Sequence, residues 1–148
     1  LVVKLRHLDS WTEGRRENAR FYDKAFQQAG ALDSGVPLHE AADIPLRFPL
    51  PAPESARHIY NQYVVRVPAE HRDQIRERLA ESNIGTEIYY PRSLHDQECY
   101  RDLDTQGRSF TASEVAASET ISIPIYPDLS MDQKQHVSDS LIGIMRGL

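Results

Sequence analysis

Cysteine is almost absent from this chain: among 148 residues there is one, Cys99, which cannot close an internal disulfide and fits a reducing compartment better than secretion. The location expected on that ground is cytoplasmic. Glycine is sparse too. The seven glycines are scattered, so neither a Rossmann fingerprint nor a P-loop is present, and no G-x-S-x-G elbow marks a hydrolase. No apolar run approaches the roughly 18 residues of a membrane span, and no charged-then-apolar leader opens the chain. No block of basic residues exists either, and with a net charge of -5 nucleic acid is a poor partner.

What is present suits a folded domain, with 40% hydrophobic and 26% charged residues in a length able to bury about two thirds of the surface its unfolded chain would expose. The first thirty residues carry a helical stripe. Leu1, Leu5, Leu8, Thr12, Ala19, Tyr22 and Phe26 recur at spacings of three, four or seven, and Gly30 supplies a stop. The expectation is one helix over 1–26, about 40 Å long at roughly 1.5 Å per residue, with a kink where Gly14, Arg15 and Arg16 interrupt the stripe. Such a helix suits a bridge between two bodies, and a chain that opens on Leu in helical pattern reads as part of something longer.

Five of the nine prolines fall in 31–57, denying a helix its interior and a central strand its donors. That stretch is expected to be an extended connection, with an edge strand near 46–50. HIYNQYVVRV (58–67) reads as a strand with Asn61, Tyr63, Val65 and Val67 on one face. AEHRDQIRERLAESNIG (69–85) reads as a helix with Ile75, Leu79 and Ala80 as its apolar contacts, stopped by Asn83 and Gly85. TEIYYP (86–91) reads as a second strand, and Ser93 with Asp96 as the cap of a short helix to Leu103. Another short helix covers 113–118. ISIPIY (121–126) is a third strand, at an edge or bulge because of Pro124. Ser130 and Gln133 form a capping-box pattern for a last helix that turns Val137, Leu141, Ile144 and Leu148 inward. The fold class is α+β, a small, mainly antiparallel sheet covered by helices and preceded by a long N-terminal helix. The chain divides into a linking helix (1–30), a proline-rich connection (31–57) and a small α+β domain (58–148).

The densest chemistry lies in TEIYYPRSLHDQECY (86–100). His95, Glu98 and Cys99 stand at helical spacings of three and four, but transition metals take three or four fixed ligands and no second cluster of Cys or His completes the set. A Ser/His/Asp or Cys/His nucleophile drawn from the same residues lacks a recognisable signature. Tyr89 and Tyr90, adjacent in a strand, are expected to face opposite ways, one into the core and one outward to a ligand. Lys4, Lys24 and Lys134 fall on predicted helices among charged neighbours and read as solvated positions. No self-contained active site is visible.

Taken in order, LVVKLRHLDSWTEGRRENARFYDKAF, HIYNQYVVRV, HRDQIRERLAESNIGTEIYYP and FTASEVAASETISIPIYPDLSMDQ resemble the C-terminal part of the DegT/DnrJ/StrS-type sugar aminotransferases. These are pyridoxal phosphate enzymes of the aspartate aminotransferase fold, and the resemblance runs nearly end to end. It implies a cytoplasmic transaminase of polysaccharide biosynthesis, homodimeric when full-length. That enzyme takes an amino group from an amino-acid donor, usually glutamate, and gives it to a keto group of a nucleotide sugar. In the family the Schiff-base lysine, the aspartate facing the pyridine nitrogen and the phosphate-binding groups precede the long helix, so no catalytic or cofactor residue is assigned here. The fragment alone is expected to be inactive. The segment matching the family's "HYP..LH.Q..Y" lies beside the substrate, so Tyr90, Pro91, His95 and Gln97 carry over, with Tyr89 standing where the family often has His. Ser93 and Glu98 stand where Pro is common, and Thr111 replaces the Pro after Phe110. Arg92 is added as a substrate contact, and Arg57 with it, on charge alone. A stand-alone ligand-binding or regulatory module, or a dimerisation module built on the long helix, suits the same fold class.

Overall fold

Period-two alternation through Tyr63–Arg66 organises the molecule: Tyr63, Val65 and Val67 are fully buried on one side, while Val64 and Arg66 are half-buried on the other. The structure is a computed structural model that describes residues 2–50, 53, 55–100, 102 and 108–148. Strands β1 (Leu32–Asp33), β2 (Arg47–Phe48), β3 (Tyr63–Arg66) and β4 (Thr120–Ile123) form one sheet in that order. β1 and β2 are parallel, and the other two pairings are antiparallel. Tyr63 lies opposite Ile123 and Val65 opposite Ile121, so one face is continuously apolar. Helices α2 (Leu8–Gln28), α3 (Arg72–Glu81) and α5 (Met131–Arg146) cover that face. This is the expected α+β architecture, with a mixed and mostly antiparallel sheet.

Its centre is aromatic. Tyr22 and Phe26 of α2 meet Tyr63 with ring centroids 5.1 and 6.3 Å away, in tilted arrangements worth about 0.5–1.5 kcal/mol per pair beyond simple burial. Each phenol finds an acceptor. Tyr22 donates to the Pro124 carbonyl at 3.0 Å, and Tyr63 donates to Asp23 Oδ1 at 2.7 Å. Ile75 and Leu79 of α3 and Val137, Leu141, Ile144 and Met145 of α5 complete the core. At the end of α2, Gly30 adopts φ +86°, and the Ala31 N–H donates back to the Phe26 carbonyl at 3.0 Å, the Schellman closure that favours glycine. A Cβ there would also fall 2.2 Å from Asp43 Cβ. Asn83, at φ +58°, stops α3 in the same way. Ser130 accepts from the Gln133 N–H while Gln133 Oε1 accepts from the Ser130 N–H, a complete capping box.

Several expected features differ. The N-terminal helix breaks at residues 6–7, between α1 (Val2–Leu5) and α2, and runs straight through Gly14. Glycine there serves approach: an added Cβ would stand 3.0 Å from the Pro127 carbonyl oxygen. Leu5 and Leu8 are exposed, because the stripe begins before the body it covers; Leu1 lies outside the described residues. Ala80 and Leu148 are exposed as well, Ala80 on the solvent side of α3 and Leu148 beyond the end of α5. TEIYYP contributes only a single bridge, Glu87 to Ser122. The segment from Ser93 forms two one-turn 3-10 helices, Leu94–Asp96 and Glu98–Tyr100, and Ser93 makes no capping bond. Its expected end at Leu103 lies outside the described residues. A helix does follow at Thr111–Glu119, α4.

Candidate functional site

The sheet face opposite the core carries Val64 and Arg66 of β3 and Thr120 and Ser122 of β4, paired across the ladder. Two of the grooves along it adjoin the turn that leads into β3. One of about 660 Å³ runs between Val64, Arg66 and Thr120 on one side and Leu50 and the turn His58–Gln62 on the other. The other, about 270 Å³, lies past Asn61 and Gln62, against Thr86, Glu87 and Tyr89. The two amide side chains line both grooves and join them. Hydroxyl, amide and imidazole groups set among Leu50, Ile59 and Val64 can hydrogen-bond a polyhydroxylated ligand while its apolar face rests on the aliphatic residues.

The turn leading into β3 is built by the long helix. Arg15 Nε donates to the Ile59 carbonyl at 3.0 Å and Arg16 Nη1 to the His58 carbonyl at 3.2 Å. The basic pair that interrupts the apolar stripe of α2 thus fastens this turn. Tyr60 takes φ +45°, a left-handed backbone that costs a residue with a Cβ about 1–2 kcal/mol and persists only where neighbours impose it.

Arg66 divides the open face. Its Nε donates to Glu119 Oε2 at 2.9 Å, and Nη2 reaches the same oxygen. Opposite it in the ladder stands Arg47, fully buried and, among the described residues, in no ion pair with a carboxylate. Its guanidinium instead donates to the carbonyls of Val36, Leu46, Pro37 and Glu40 at 2.7–3.1 Å. Burial first, and the Arg66 charge second, hold the Arg47 pKa below the ordinary arginine value. On the core side, burial raises the Asp23 carboxyl above its usual range, partly offset by the Tyr63 hydrogen bond.

Of the residues that the sequence singled out, Tyr89 lines the smaller groove. Tyr89 and Tyr90 are both exposed, contrary to the expected in-and-out pair, because the backbone leaves the sheet after Glu87. Pro91 and Arg92 are exposed and Gln97 is half-buried. His95 meets Glu114 Oε1 at 3.1 Å and rests on Phe110 with ring centroids 4.6 Å apart. Arg57 is taken up by Asp9 at 2.9 Å and Glu13 at 3.4 Å, so it does not stand free for a ligand. His58, Tyr60, Asn61, Gln62 and the Arg66–Glu119 pair escaped the sequence reading. The signals for them were two consecutive amides at the mouth of a strand and the place of HIYNQYVVRV among the stretches that carry the family resemblance.

A profile of the DegT/DnrJ/EryC1/StrS aminotransferase family matches residues 1–142. The chain belongs to this family. The "pleiotropic regulatory protein" of Geobacillus stearothermophilus is 32% identical over 99% of the chain. The dTDP-3-amino-3,6-dideoxy-alpha-D-galactopyranose transaminase of Aneurinibacillus thermoaerophilus is 31% identical over 95%. Among solved structures, the aminotransferase TlmJ from Streptoalloteichus hindustanus superposes over 96% of the chain with TM-score 0.76 at 28% identity, and 34% of that chain is covered. The chain spans about a third of the length of the curated relatives it matches, 35% and 33% for the two named.

The family is pyridoxal phosphate dependent, and the residues of this chain do not fit that group. None of the three lysines lines either groove. Lys134 donates to Asn18 Oδ1 at 3.1 Å and sits over the Phe21 ring, while Lys4 and Lys24 are exposed on α1 and α2. No helix among the described residues is long and apolar enough to cross a membrane.

Proposed function

We propose that this chain is the C-terminal part of a cytoplasmic, homodimeric aminotransferase that moves an amino group from glutamate to a keto group of a nucleotide-linked sugar. Residues 1–30 serve it as the linking helix, 31–57 as the connection and 58–148 as the small domain. Pyridoxal phosphate is held, and the electron sink it supplies is used, by residues outside this sequence. The chain's own part is to wall the substrate cleft: Tyr89, Tyr90, Pro91, Arg92, His95 and Gln97 flank the sugar nucleotide and orient it without transferring protons. The observation that carries this reading is the family match across residues 1–142 together with three lysines that all stand away from the grooves.

The fragment by itself is therefore inactive as a transaminase. Incubation with pyridoxal phosphate, reduction with borohydride and peptide mass spectrometry are expected to yield no stoichiometrically labelled lysine. Full labelling at Lys4, Lys24 or Lys134 overturns the assignment.

A further inference from the structure

The Tyr60 backbone N–H donates to Nδ1 of His58 at 3.0 Å. A ring nitrogen accepts only when it carries no proton, so the bond exists with His58 neutral and its proton on Nε2. The arrangement copies an Asx turn, in which a side-chain acceptor takes the N–H two residues on. The imidazole also lies against the Tyr60 ring, centroids 4.1 Å apart, and Tyr60 is held at φ +45°. Arg15 and Arg16 secure the carbonyls on either side of this bond, so of the contacts that fix the turn only the His58 acceptor is removed by a single proton.

We propose that His58 is a proton-operated latch on the groove wall: the neutral ring holds the 58–60 turn left-handed and keeps Asn61 and Gln62 turned to the grooves, and protonation releases it. Donor then faces donor. The charged groups around the ring favour release over a new bond. From α2 come Arg15 and Arg16, with Glu13 tied to Arg16 at 3.3 Å. From the connection comes Arg57, committed to Asp9 and Glu13, and across the groove stands Arg66, committed to Glu119. Tyr60 feels Asp23 and the arginines at 16 and 20. No carboxylate among the described residues pairs with the His58 ring, so the imidazolium has no counter-charge to keep it in place.

The latch regulates the wall formed by Asn61 and Gln62, which share the smaller groove with Tyr89, and its effect on binding rests on the proposed place of Tyr89 beside the substrate. The latch itself is read without ligand, so its failure and the failure of the sugar reading are separate results. Heteronuclear NMR of the chain over a pH series that takes its histidines from neutral to protonated follows the His58 ring tautomer and the Tyr60 amide together. The expected result is the Nε2–H tautomer at the alkaline end and a Tyr60 amide signal that moves with the midpoint of the ring. His58→Asn, whose Oδ1 accepts at any pH, should keep the amide in its alkaline position throughout. His58→Phe should leave it in the acid position throughout. An Nδ1–H tautomer at the alkaline end, or a Tyr60 amide that ignores the ring's titration, overturns the proposal. If His58→Phe does not fold, the wild-type titration and the Asn variant decide.

Discussion

Glu114 Oε1 accepts from two places at once, from His95 Nε2 at 3.1 Å and from the Phe110 backbone N–H at 3.1 Å. One carboxylate oxygen thereby caps the first turn of α4 and ties the 3-10 turn Leu94–Asp96 to it. Glu114→Ala removes both functions. Stability measured by urea unfolding is expected to fall by about 1 kcal/mol, the usual worth of a helix N-terminal cap. Amide exchange at Asp96 and Gln97, which donate to the carbonyls of Ser93 and Leu94, should speed up more than exchange in β3. A loss of stability with unchanged exchange at these two amides would leave the cap in place and refute the tie.

Arg47 is the largest fully buried side chain among the described residues, and its guanidinium donates to four carbonyls. Replacement by Met keeps the volume roughly and leaves the acceptors of Val36, Pro37, Leu46 and Glu40 without this donor. An unsatisfied buried acceptor costs about 1–3 kcal/mol, so a destabilisation of about 3 kcal/mol or more is expected by urea unfolding. Lysine cannot spread its donors in the planar fork that reaches all four, and Arg47→Lys should fall between Met and the wild type. A Met variant within about 0.5 kcal/mol of wild type, the range of an ordinary surface change, would mean that water replaces the fork.

The sign of the pH dependence from Asp23 follows from its raised carboxyl. A carboxyl that binds its proton more tightly folded than unfolded contributes stability that is fully present below its unfolded value and lost as pH rises through the folded one. This contribution therefore declines as pH rises above the ordinary carboxylate range. Asp23→Asn keeps an acceptor for the Tyr63 phenol and removes the titration, so the difference in unfolding free energy between the variant and wild type should grow in the variant's favour as pH rises through that window. A constant difference across the window would show that Asp23 ionises as freely folded as unfolded. Tyr63→Phe, which removes the bond that lowers Asp23, should push the decline to higher pH.

How much of this was legible depends on whether a local rule had a competitor. The Ser130–Gln133 box, the Gly30 stop and the Tyr63, Val65, Val67 face were readable because each feature needs only its own neighbours in sequence. TEIYYP looks like a strand by composition, yet β4 offers it one bridge at Ser122, and Pro91 blocks continuation. The stripe at Leu5 and Leu8 was real, but periodicity reports an apolar face and not what lies beneath it. Tyr60 gave no sign at all, since left-handed turns are usually announced by Gly or Asn and here the His58 acceptor and two arginines of a distant helix hold the shape together. Tyr89, Tyr90, Pro91, His95 and Gln97 came from resemblance and Arg92 from charge alone, and spacing did not separate them from an ordinary surface.

The Arg66–Glu119 pair supports a further prediction because a second arginine faces it. Side-chain exposures of 24% and 17% put both members largely out of water, where losing one partner costs more than the pair is worth. Glu119→Ala leaves Arg66 and Arg47 opposite each other in the ladder with the carboxylate that binds Arg66 gone. Arg66→Ala strands Glu119 but relieves Arg47 of the Arg66 charge that lowers its pKa. Glu119→Ala is therefore expected to be the more damaging change, by about 1 kcal/mol in urea unfolding, with a coupling of about 0.5–3 kcal/mol between the two positions. The double variant should recover part of the Glu119→Ala loss. Added salt should narrow the gap between the single variants, since screening weakens the repulsion between the two arginines. If Arg66→Ala proves the worse of the two, Arg47 and Arg66 do not repel appreciably, and the carbonyl cage alone neutralises the buried guanidinium.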